Sequence, residues 1–487
     1  MTSDLSDPYL SASHPSPALS RRDFLSNAGN GLGGIALAWL LNRDAARAAG
    51  ATSAHAPHIP PKAKRVVQIF CAGGVSHLET FDFKPELERM HGKSIEGKGS
   101  ENLGFFGKPG NLMKSVYPFR QHGKSGAWVS DLLPHLAGCA DDLCFIKSMT
   151  AKSNNHAPAA FQMHSGFTLN GFPCMGAWLS YGLGTENENL PAFVVLPDPR
   201  GLPAGGSINW TSGFLPANHQ GVAFRTQSEE PVADLRTPTG ISAAARAADM
   251  DLLASMNREF ADANRGDGAF AARLRSYELA ARMQASIPEA TNLDGESAAV
   301  RKLYGLDDPA NKGFAKNCLM ARRLLERGVR FVQIMNGGAF GSPRINWDGH
   351  ENVKDNHDTQ AATMDKPVAA LIQDLKQRGM FEDTLFVWST EFGRSPLTQG
   401  IGSLGRDHHP SVFTCFLAGA GVKKGMSYGS SDEVGYLVGE NKVIIPDFHA
   451  TILHLLGIDH EKLTFYHNGI NRRLTDVHGH VIRDILA

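Results

Sequence analysis

Histidine, aspartate and glutamate side chains gather in four short segments of this sequence, each placed directly after an apolar run. The last run, TLFVWS, continues into TEFGR and so places Glu391 at the end of a buried segment. The candidate ligands in the four segments are His77, Asp348, His350, Glu391, His408 and His409. Imidazole and carboxylate groups suit divalent ions such as zinc, manganese or calcium. The pattern therefore predicts a shared metal site.

Each segment also has a purely structural interpretation. Gly73 and Gly74 could make a tight turn, with His77 capping a helix. The stretch SNNH, residues 153–156, could form a helix N-cap, although a helix N-terminus also suits an anion or an activated nucleophile. Asp348 and His350 could lie in a surface turn, and RDHHP, which holds both His408 and His409, reads as a solvated loop. Only the common position of these segments at strand ends favours one site.

The elements that must position these residues are continuous apolar runs separated by helical patterns. Strands are predicted within 65–74, 142–149, 191–197, 328–338, 383–389 and 412–421, and such runs are typical of strands covered on both faces. Two helices are predicted by apolar residues at spacings of three and four, one before Gly328 and one before Gly379. Helix followed by strand, twice in succession, predicts a doubly wound, mostly parallel α/β sheet flanked by helices.

The domain organisation is predicted from composition shifts. Residues 1–48 form a signal segment, 49–62 a Pro/Ala linker, and 63–487 one α/β domain with a loop and helical insertion at about 198–300. The 48 basic and 49 acidic residues give a net charge of -1, which does not favour nucleic acid or an acidic membrane as a partner. The six cysteines form no CxxC pair and are interpreted as mainly buried thiols, with one disulfide left open after export.

The N-terminal segment predicts the location of the protein. SRRDFL places Arg21 and Arg22 before an apolar run, and AARAAG supplies small residues for cleavage near Ala48. This pattern is typical of a twin-arginine export signal; an N-terminal anchor helix is the alternative, but the apolar run is much shorter than a membrane span. We therefore expect a periplasmic or extracellular protein without stable membrane insertion after cleavage.

Several segments together resemble one known family over nearly the whole mature length. They are GGVSHLETFDFKP, SNNHAPA, SYELAARMQ, CLMARRLLERGVRFVQI, WDGHENV, RGMFEDTLFVWSTEFGRSP, GRDHHP, LAGAGVKKG and LHLLGID. On this basis the chain is identified as a member of a domain-of-unknown-function family of exported, sulfatase-like bacterial proteins in the alkaline phosphatase superfamily. The resemblance implies an alkaline-phosphatase/sulfatase-like fold and a divalent-metal centre.

The resemblance also implies residue roles. Glu391 stands where the superfamily has a metal-binding aspartate, and Phe392 replaces the histidine that follows it. Asp348 and His350 resemble the preceding ligand pair, and either His408 or His409 resembles the late histidine ligand. Ser153 lies near the place of the nucleophile, where Asn155 and His156 would orient substrate or metal.

Two departures from the superfamily pattern restrict the prediction. The first strand ends in Ala-Gly-Gly rather than an acid, which leaves His77 or Glu79 as substitutes and is consistent with one ion rather than two. No cysteine or serine lies in a C/S-x-P-x-R context, so formylglycine formation is not expected. An ordinary sulfatase is therefore disfavoured.

The function that the sequence predicts is metal-dependent hydrolysis of phosphate or sulfate esters outside the cytoplasm. Arg394 or Arg406 would pair with the anionic group of a small molecule or glycan, and Ser153 would be the nucleophile, with a water at the ion as the alternative. The two lost ligands motivate a rival hypothesis, a non-catalytic protein that binds an anionic glycan or a protein partner on the same scaffold.

Overall fold

The computed structural model describes residues 57–95, 109–228, 230–232, 240–263, 268–338, 340 and 344–487. The predicted export signal and most of the predicted linker lie outside the described residues. None of the helices within these ranges has the length and apolar character needed to cross a membrane.

The strands alternate with helices along most of the chain. The strands are β1 (Arg65–Cys71), β2 (Phe119–His122), β3 (Ala127–Ser130), β4 (Leu143–Thr150), β5 (Phe193–Leu196), β6 (Val222–Ala223), β7 (Phe331–Asn336), β8 (Thr384–Ser389), β9 (Gly393–Thr398), β10 (Arg406–His409), β11 (Phe413–Ala418), β12 (Met426–Tyr428), β13 (Ser430–Ser431), β14 (Val438–Glu440), β15 (Val443–Ile444), β16 (Phe465–His467) and β17 (Ile470–Arg472). The α-helices are α1 (His77–Thr80), α2 (Pro85–Arg89), α3 (Pro134–Ala137), α4 (His156–Ser165), α5 (Met175–Leu183), α6 (Ala243–Ala263), α7 (Gly268–Thr291), α8 (Ala298–Tyr304), α9 (Lys312–Glu326), α10 (Val353–Gln377) and α11 (Ile445–Leu455).

A nine-stranded sheet forms the centre of the molecule. Its order is β12-β4-β11-β8-β1-β7-β5-β6, with β15 also paired to β4. Strand β11 is antiparallel to both β4 and β8, and the other pairings in this sheet are parallel. The prediction of a mostly parallel α/β sheet flanked by helices is therefore confirmed. Strands β4, β8, β1 and β7 consequently end at the same edge of the sheet.

Helices cover both faces of the sheet because the central strands are apolar on both sides. Val67 and Ile69 of β1 face a core shared with α9 and α10, whereas Val66 and Phe70 face a core shared with α4, α5 and α11. Alternate residues of one strand point to opposite faces, so a continuous apolar run fits only a sheet covered twice.

The segment RDHHP is a strand, not the solvated loop that the sequence suggested. Residues Arg406–His409 form β10, which pairs antiparallel with β9 and places His408 opposite Arg394. The sequence did not show this pairing because β10 is only four residues long, polar and charged. Its burial comes from neighbours distant in sequence, so local composition gave no sign of a strand.

Helices α6 and α7 lie between the central strands β6 and β7, after a stretch of loops and short 3-10 turns at Gly206–Trp210 and Ala217–His219. All six cysteines are buried free thiols, so the disulfide left open by the sequence is not formed.

Candidate metal centre

Asp348 is placed at the edge of the sheet by the tryptophan before it. The Trp347 indole donates to Asn336 Oδ1 at 2.7 Å, and the Trp347 amide donates to the carbonyl of Ala72 at 2.9 Å. The backbone of Trp347 lies so close to position 73 that this position requires glycine. There φ is +112°, and a Cβ would lie 2.5 Å from the Trp347 nitrogen. The Ala-Gly-Gly end of β1 therefore serves to bring this loop close to the strand.

Three imidazoles converge on one carboxylate oxygen of Asp348. The Nε2 atoms of His350, His408 and His156 lie 2.9, 3.1 and 3.2 Å from Asp348 Oδ1. The ligand atoms of these four residues, which we call the cluster, all lie within 4.8 Å of one another. One carboxylate and three imidazoles are a common donor set for a divalent transition-metal ion.

The other nitrogen of each imidazole faces an oxygen. His156 Nδ1 lies 2.7 Å from Glu391 Oε1, His408 Nδ1 lies 2.6 Å from the Asn154 carbonyl, and His350 Nδ1 lies 2.6 Å from Gln399 Oε1. These oxygens can accept a proton carried on Nδ1, and in that tautomer the Nε2 lone pair is directed at the centre of the cluster.

A neutral imidazole carries one proton, so it cannot donate from both nitrogens. With Nδ1 protonated, His350 Nε2 and His408 Nε2 are two acceptors only 2.8 Å apart. The buried Nε2 of His156 lies 3.2 Å from Asp348 Oδ1, so with Nδ1 protonated two acceptors also face each other there. A cation shared by the Nε2 atoms relieves both conflicts, so these four residues fit a bound divalent ion.

The electrostatics of Asp348 and His408 agree with this donor set, whereas without an ion the contacts of His156 favour its charged form. Burial alone would raise the pKa of Asp348, but Arg394 and the three imidazoles hold it well below its usual range. Burial, assisted by Arg394, lowers the pKa of His408 to about 3, so this imidazole is neutral at pH 7. Burial opposes the charged form of His156, but hydrogen bonds to Asp348 and Glu391 raise its pKa overall.

Glu391 supports the cluster from behind His156. Its Oε1 accepts the 2.8 Å hydrogen bond from the Gly73 amide as well as the contact with His156, and the Thr390 hydroxyl lies 3.2 Å from Oε2. The structure thus places Glu391 next to a cluster imidazole rather than among the four converging ligands. A carboxylate in this position fixes the tautomer of a ligating histidine.

Arg394 adds a fixed positive charge beside Asp348. Its Nη2 lies 2.5 Å from Asp348 Oδ1, and its Nε and Nη1 donate to the carbonyls of Gly74 and Arg406 at 2.8 and 3.1 Å. The guanidinium also contacts the carbonyl of Gly73. Its side chain has no exposed surface.

The remaining predicted site residues do not join the cluster. His77 Nε2 and His409 Nε2 lie 3.1 and 2.5 Å from the carbonyls of Gly435 and Tyr436, in a separate buried region. Arg406 is fully buried and pairs with Glu79 at 2.8 Å. Consecutive residues of β10 point to opposite sides, which explains why His408 reaches the cluster and His409 does not.

Ser153 and Asn155 lie in the turn that leads into α4. The Asn155 side chain caps this helix by accepting from the Ala157 amide at 3.3 Å, and the Asn155 amide donates to Ser153 Oγ at 3.0 Å. The same turn presents the Asn154 carbonyl to His408. The N-cap predicted from SNNH is therefore observed, and it also places His156 as the first residue of the helix.

Sequence reasoning missed three residues that contact the cluster. Gln399 holds His350, the ring of Phe340 lies 4.5 Å from that of His156 between centroids, and Arg344 contacts Asp348. Of these three residues, only Arg344 was signalled by the sequence, because it stands four residues before Asp348 in PRINWD. Gln399 gave none, because only the pairing of β9 with β10 brings it to His350.

Comparison with known proteins agrees with the resemblance. Residues 63–486 match the family model described as "Protein of unknown function (DUF1501)". The chain belongs to this family. None of the curated proteins matches it.

Among solved structures, the matches include three distant ones. The sulfatase PsFucS1 from Pseudoalteromonas sp. is 12% identical, with 93% of this chain and 75% of that chain covered and a TM-score of 0.34. The phosphonate monoester hydrolase SpPMH from Silicibacter pomeroyi is 13% identical, with 67% and 68% covered and a TM-score of 0.32. A protein in the alkaline phosphatase superfamily from Vibrio parahaemolyticus is 11% identical, with 86% and 76% covered and a TM-score of 0.33. Similarity at this level carries no functional argument, so function must be inferred from the site.

Proposed function

We propose that this protein is an exported, metal-dependent hydrolase of phosphate or sulfate esters. The proposal rests on the surroundings of the three imidazoles. In each ring both nitrogens face an oxygen atom: Nε2 faces Asp348 Oδ1, and Nδ1 faces an oxygen outside the cluster. His156, His350 and His408 have acceptors on both sides, and a divalent ion at Nε2 satisfies them without placing three imidazolium ions beside Arg394.

Asp348 and the three imidazoles would hold the ion. A divalent ion bound by these residues would supply Lewis-acid polarisation of an ester oxygen. Glu391, Gln399 and the Asn154 carbonyl keep the ligand nitrogens aimed at the centre, and the arrangement is in place before substrate arrives.

Ser153 is the proposed nucleophile. It lies one residue before Asn154, whose carbonyl contacts His408, and just before the N-terminus of α4. A helix N-terminus favours an ionised hydroxyl and an anionic substrate group. A water molecule attacking the ester is the alternative, and Ser153→Ala separates the two because only the first requires the hydroxyl.

The test combines metal content with turnover. The purified protein should contain a divalent metal by elemental analysis and should hydrolyse an aryl phosphate or an aryl sulfate, with activity lost on chelation and restored by the metal. His408→Ala should remove both metal and activity, whereas His409→Gln, the neighbouring histidine outside the cluster, should keep its metal. Metal-free protein whose turnover is insensitive to chelators would refute the proposal.

A second candidate is a non-catalytic protein that binds an anionic glycan or a protein partner. It is favoured by the Ser153 hydroxyl, which takes part in its own turn through the Asn155 amide rather than in a contact with a cluster imidazole. Glycan binding by metal-loaded protein, with no turnover of any ester, would support this candidate over the hydrolase.

The proposal places the protein in the periplasm or outside the cell, through the twin-arginine signal in residues 1–48. Fractionation of cells expressing the full chain should recover the mature protein outside the cytoplasm. Replacing Arg21 and Arg22 by lysine should retain it inside.

A further inference from the structure

The two arginines predicted to bind the substrate anion are both enclosed. Arg394 and Arg406 have fully buried side chains, and each is surrounded by acceptors. Arg406 donates to Glu79 and to the carbonyls of Ser395 and Met113. Neither guanidinium presents a surface to solvent, so a ligand entering from solvent would have to displace internal partners of a buried charge.

Arg344 differs from both because one side of its guanidinium contacts the cluster and the other side is exposed to solvent. Its side chain is 32% exposed, and its Nη1 contacts Asp348 Oδ2 and lies 3.3 Å from the Asp348 carbonyl. Its Nη2 lies 2.9 Å from Glu351 Oε1, and the Glu351 side chain is 72% exposed. The guanidinium therefore lies directly behind a cluster ligand while its outer edge is held by an exposed carboxylate.

We infer that Arg344 is the residue that receives the anionic group of the substrate. An exposed ion pair such as Arg344–Glu351 is weak, so an incoming sulfate or phosphate oxygen can take the place of the Glu351 carboxylate at little cost. The planar fork of arginine suits two parallel hydrogen bonds to such an anion. Because Asp348 fixes the inner edge of the fork, the anion would be bound beside the cluster. This inference rests on the proposed function.

The experiment measures anion binding by metal-loaded protein, independently of turnover. Inorganic sulfate and inorganic phosphate are titrated calorimetrically against wild type and Arg344→Gln, with metal content measured in each sample. We expect Arg344→Gln to bind the anions at least tenfold more weakly while retaining its metal, because the charge-assisted hydrogen bonds of the fork are removed. Arg344→Lys, which keeps the charge without the fork, should fall between the two.

Arg378 provides the matched control. It is 33% exposed and, like Arg344, bridges an aspartate four residues away and a glutamate, with both contacts at 2.7 Å to Asp374 and Glu326. It follows α10 and precedes β8, at the opposite edge of the sheet. Arg378→Gln should bind the anions as wild type does, and Glu351→Gln should bind them at least as tightly.

The outcomes separate this inference from the proposed function. Wild-type anion affinity in Arg344→Gln, or loss of metal from it, would overturn the inference, since the arginine would then serve only to hold Asp348. Chelator-sensitive ester hydrolysis with an unchanged KM in Arg344→Gln would leave the function standing without the inference. Arg344-dependent anion binding with no hydrolysis of any ester would support the inference and refute the proposed hydrolase function.

Discussion

At the scale of single residues, the position of each hydrogen-bond acceptor decides which histidines can hold a metal. His156 and His409 are both largely buried, but the outer nitrogen of His156 faces a carboxylate and its inner nitrogen faces Asp348. His409 instead directs Nε2 at the Tyr436 carbonyl. The surroundings of the two ring nitrogens, rather than burial, distinguish a ligand from a structural histidine.

The first prediction separates a ligand from its support. His156→Ala removes one donor and should lower metal affinity far more than Glu391→Gln, which only loosens the orientation of His156 and should cost about 10- to 100-fold. Competition titration with a chromophoric chelator measures both affinities. Equal losses in the two variants would show that Glu391 binds the ion directly.

The second prediction concerns the backbone of Gly73. Gly73→Ala combines φ of +112° with a Cβ 2.5 Å from the Trp347 nitrogen, and should lower the free energy of unfolding by about 3 kcal/mol. Gly92→Ala is the control, since φ is +80° there but no atom lies within 4 Å; it should cost only about 1 kcal/mol. Urea denaturation measures both, and equal costs would refute the steric argument.

At the scale of elements, the β9–β10 hairpin carries His408 and Arg394 to the cluster. It is anchored by Arg406, whose guanidinium is buried against Glu79 in α1. The hairpin forms a two-stranded sheet apart from the central one. The ion pair therefore connects the hairpin to the element that follows β1.

The third prediction follows from this anchor. Glu79→Gln leaves the buried guanidinium of Arg406 without its countercharge and should lower the free energy of unfolding by about 3 kcal/mol or more. The exposed pair of Glu86 and Arg89 in α2 is the control, and Glu86→Gln should give no measurable change. Chemical denaturation compares the two. A Glu79→Gln variant as stable as wild type would mean that other contacts hold the hairpin.

At the scale of the whole molecule, two histidines are buried in the core between the sheet and the helices. Gln333 in β7 donates to His164 Nδ1 at 2.9 Å, and His449 in α11 donates to the Met163 carbonyl at 2.8 Å. Burial lowers the pKa of His164 to about 3 and that of His449 to about 4. Both imidazoles are therefore neutral in the folded protein at pH 7.

The fourth prediction is loss of stability in mild acid. These histidines bind protons in the unfolded chain below about pH 6.5 but not in the folded one, so their contribution is complete above pH 6.5 and is lost as pH falls toward 4. Each of the two histidines makes the free energy of unfolding fall by up to about 1.4 kcal/mol per pH unit in this range. Urea denaturation of the metal-free protein between pH 7 and pH 4 should show that the free energy of unfolding falls less steeply in His449→Gln than in wild type. His480→Gln, whose histidine is 94% exposed, should keep the wild-type slope.

Apolar patterning along the chain was enough to predict the architecture and the region of the site. Continuous apolar runs indicate strands buried on two faces, and helices between them favour parallel strands, so the polar residues after these strands were expected to meet at one edge. Apolar periodicity is a local property that can be seen in a single sequence, whereas the order of the strands in the sheet is known only from the structure. The same logic identified Asp348, His350, His408 and His156 as residues worth considering.

Long-range packing selects the side chains that share a centre. The pairing of β9 with β10 separates His408 from His409, and the contact of Gly73 with Trp347 determines where Asp348 lies. The burial of Arg394 and Arg406 and the exposure of Arg344 likewise depend on neighbours hundreds of residues away or on the far side of a loop. Contacts of this kind are fixed by packing and register, which cannot be read from residue types and spacings along one chain.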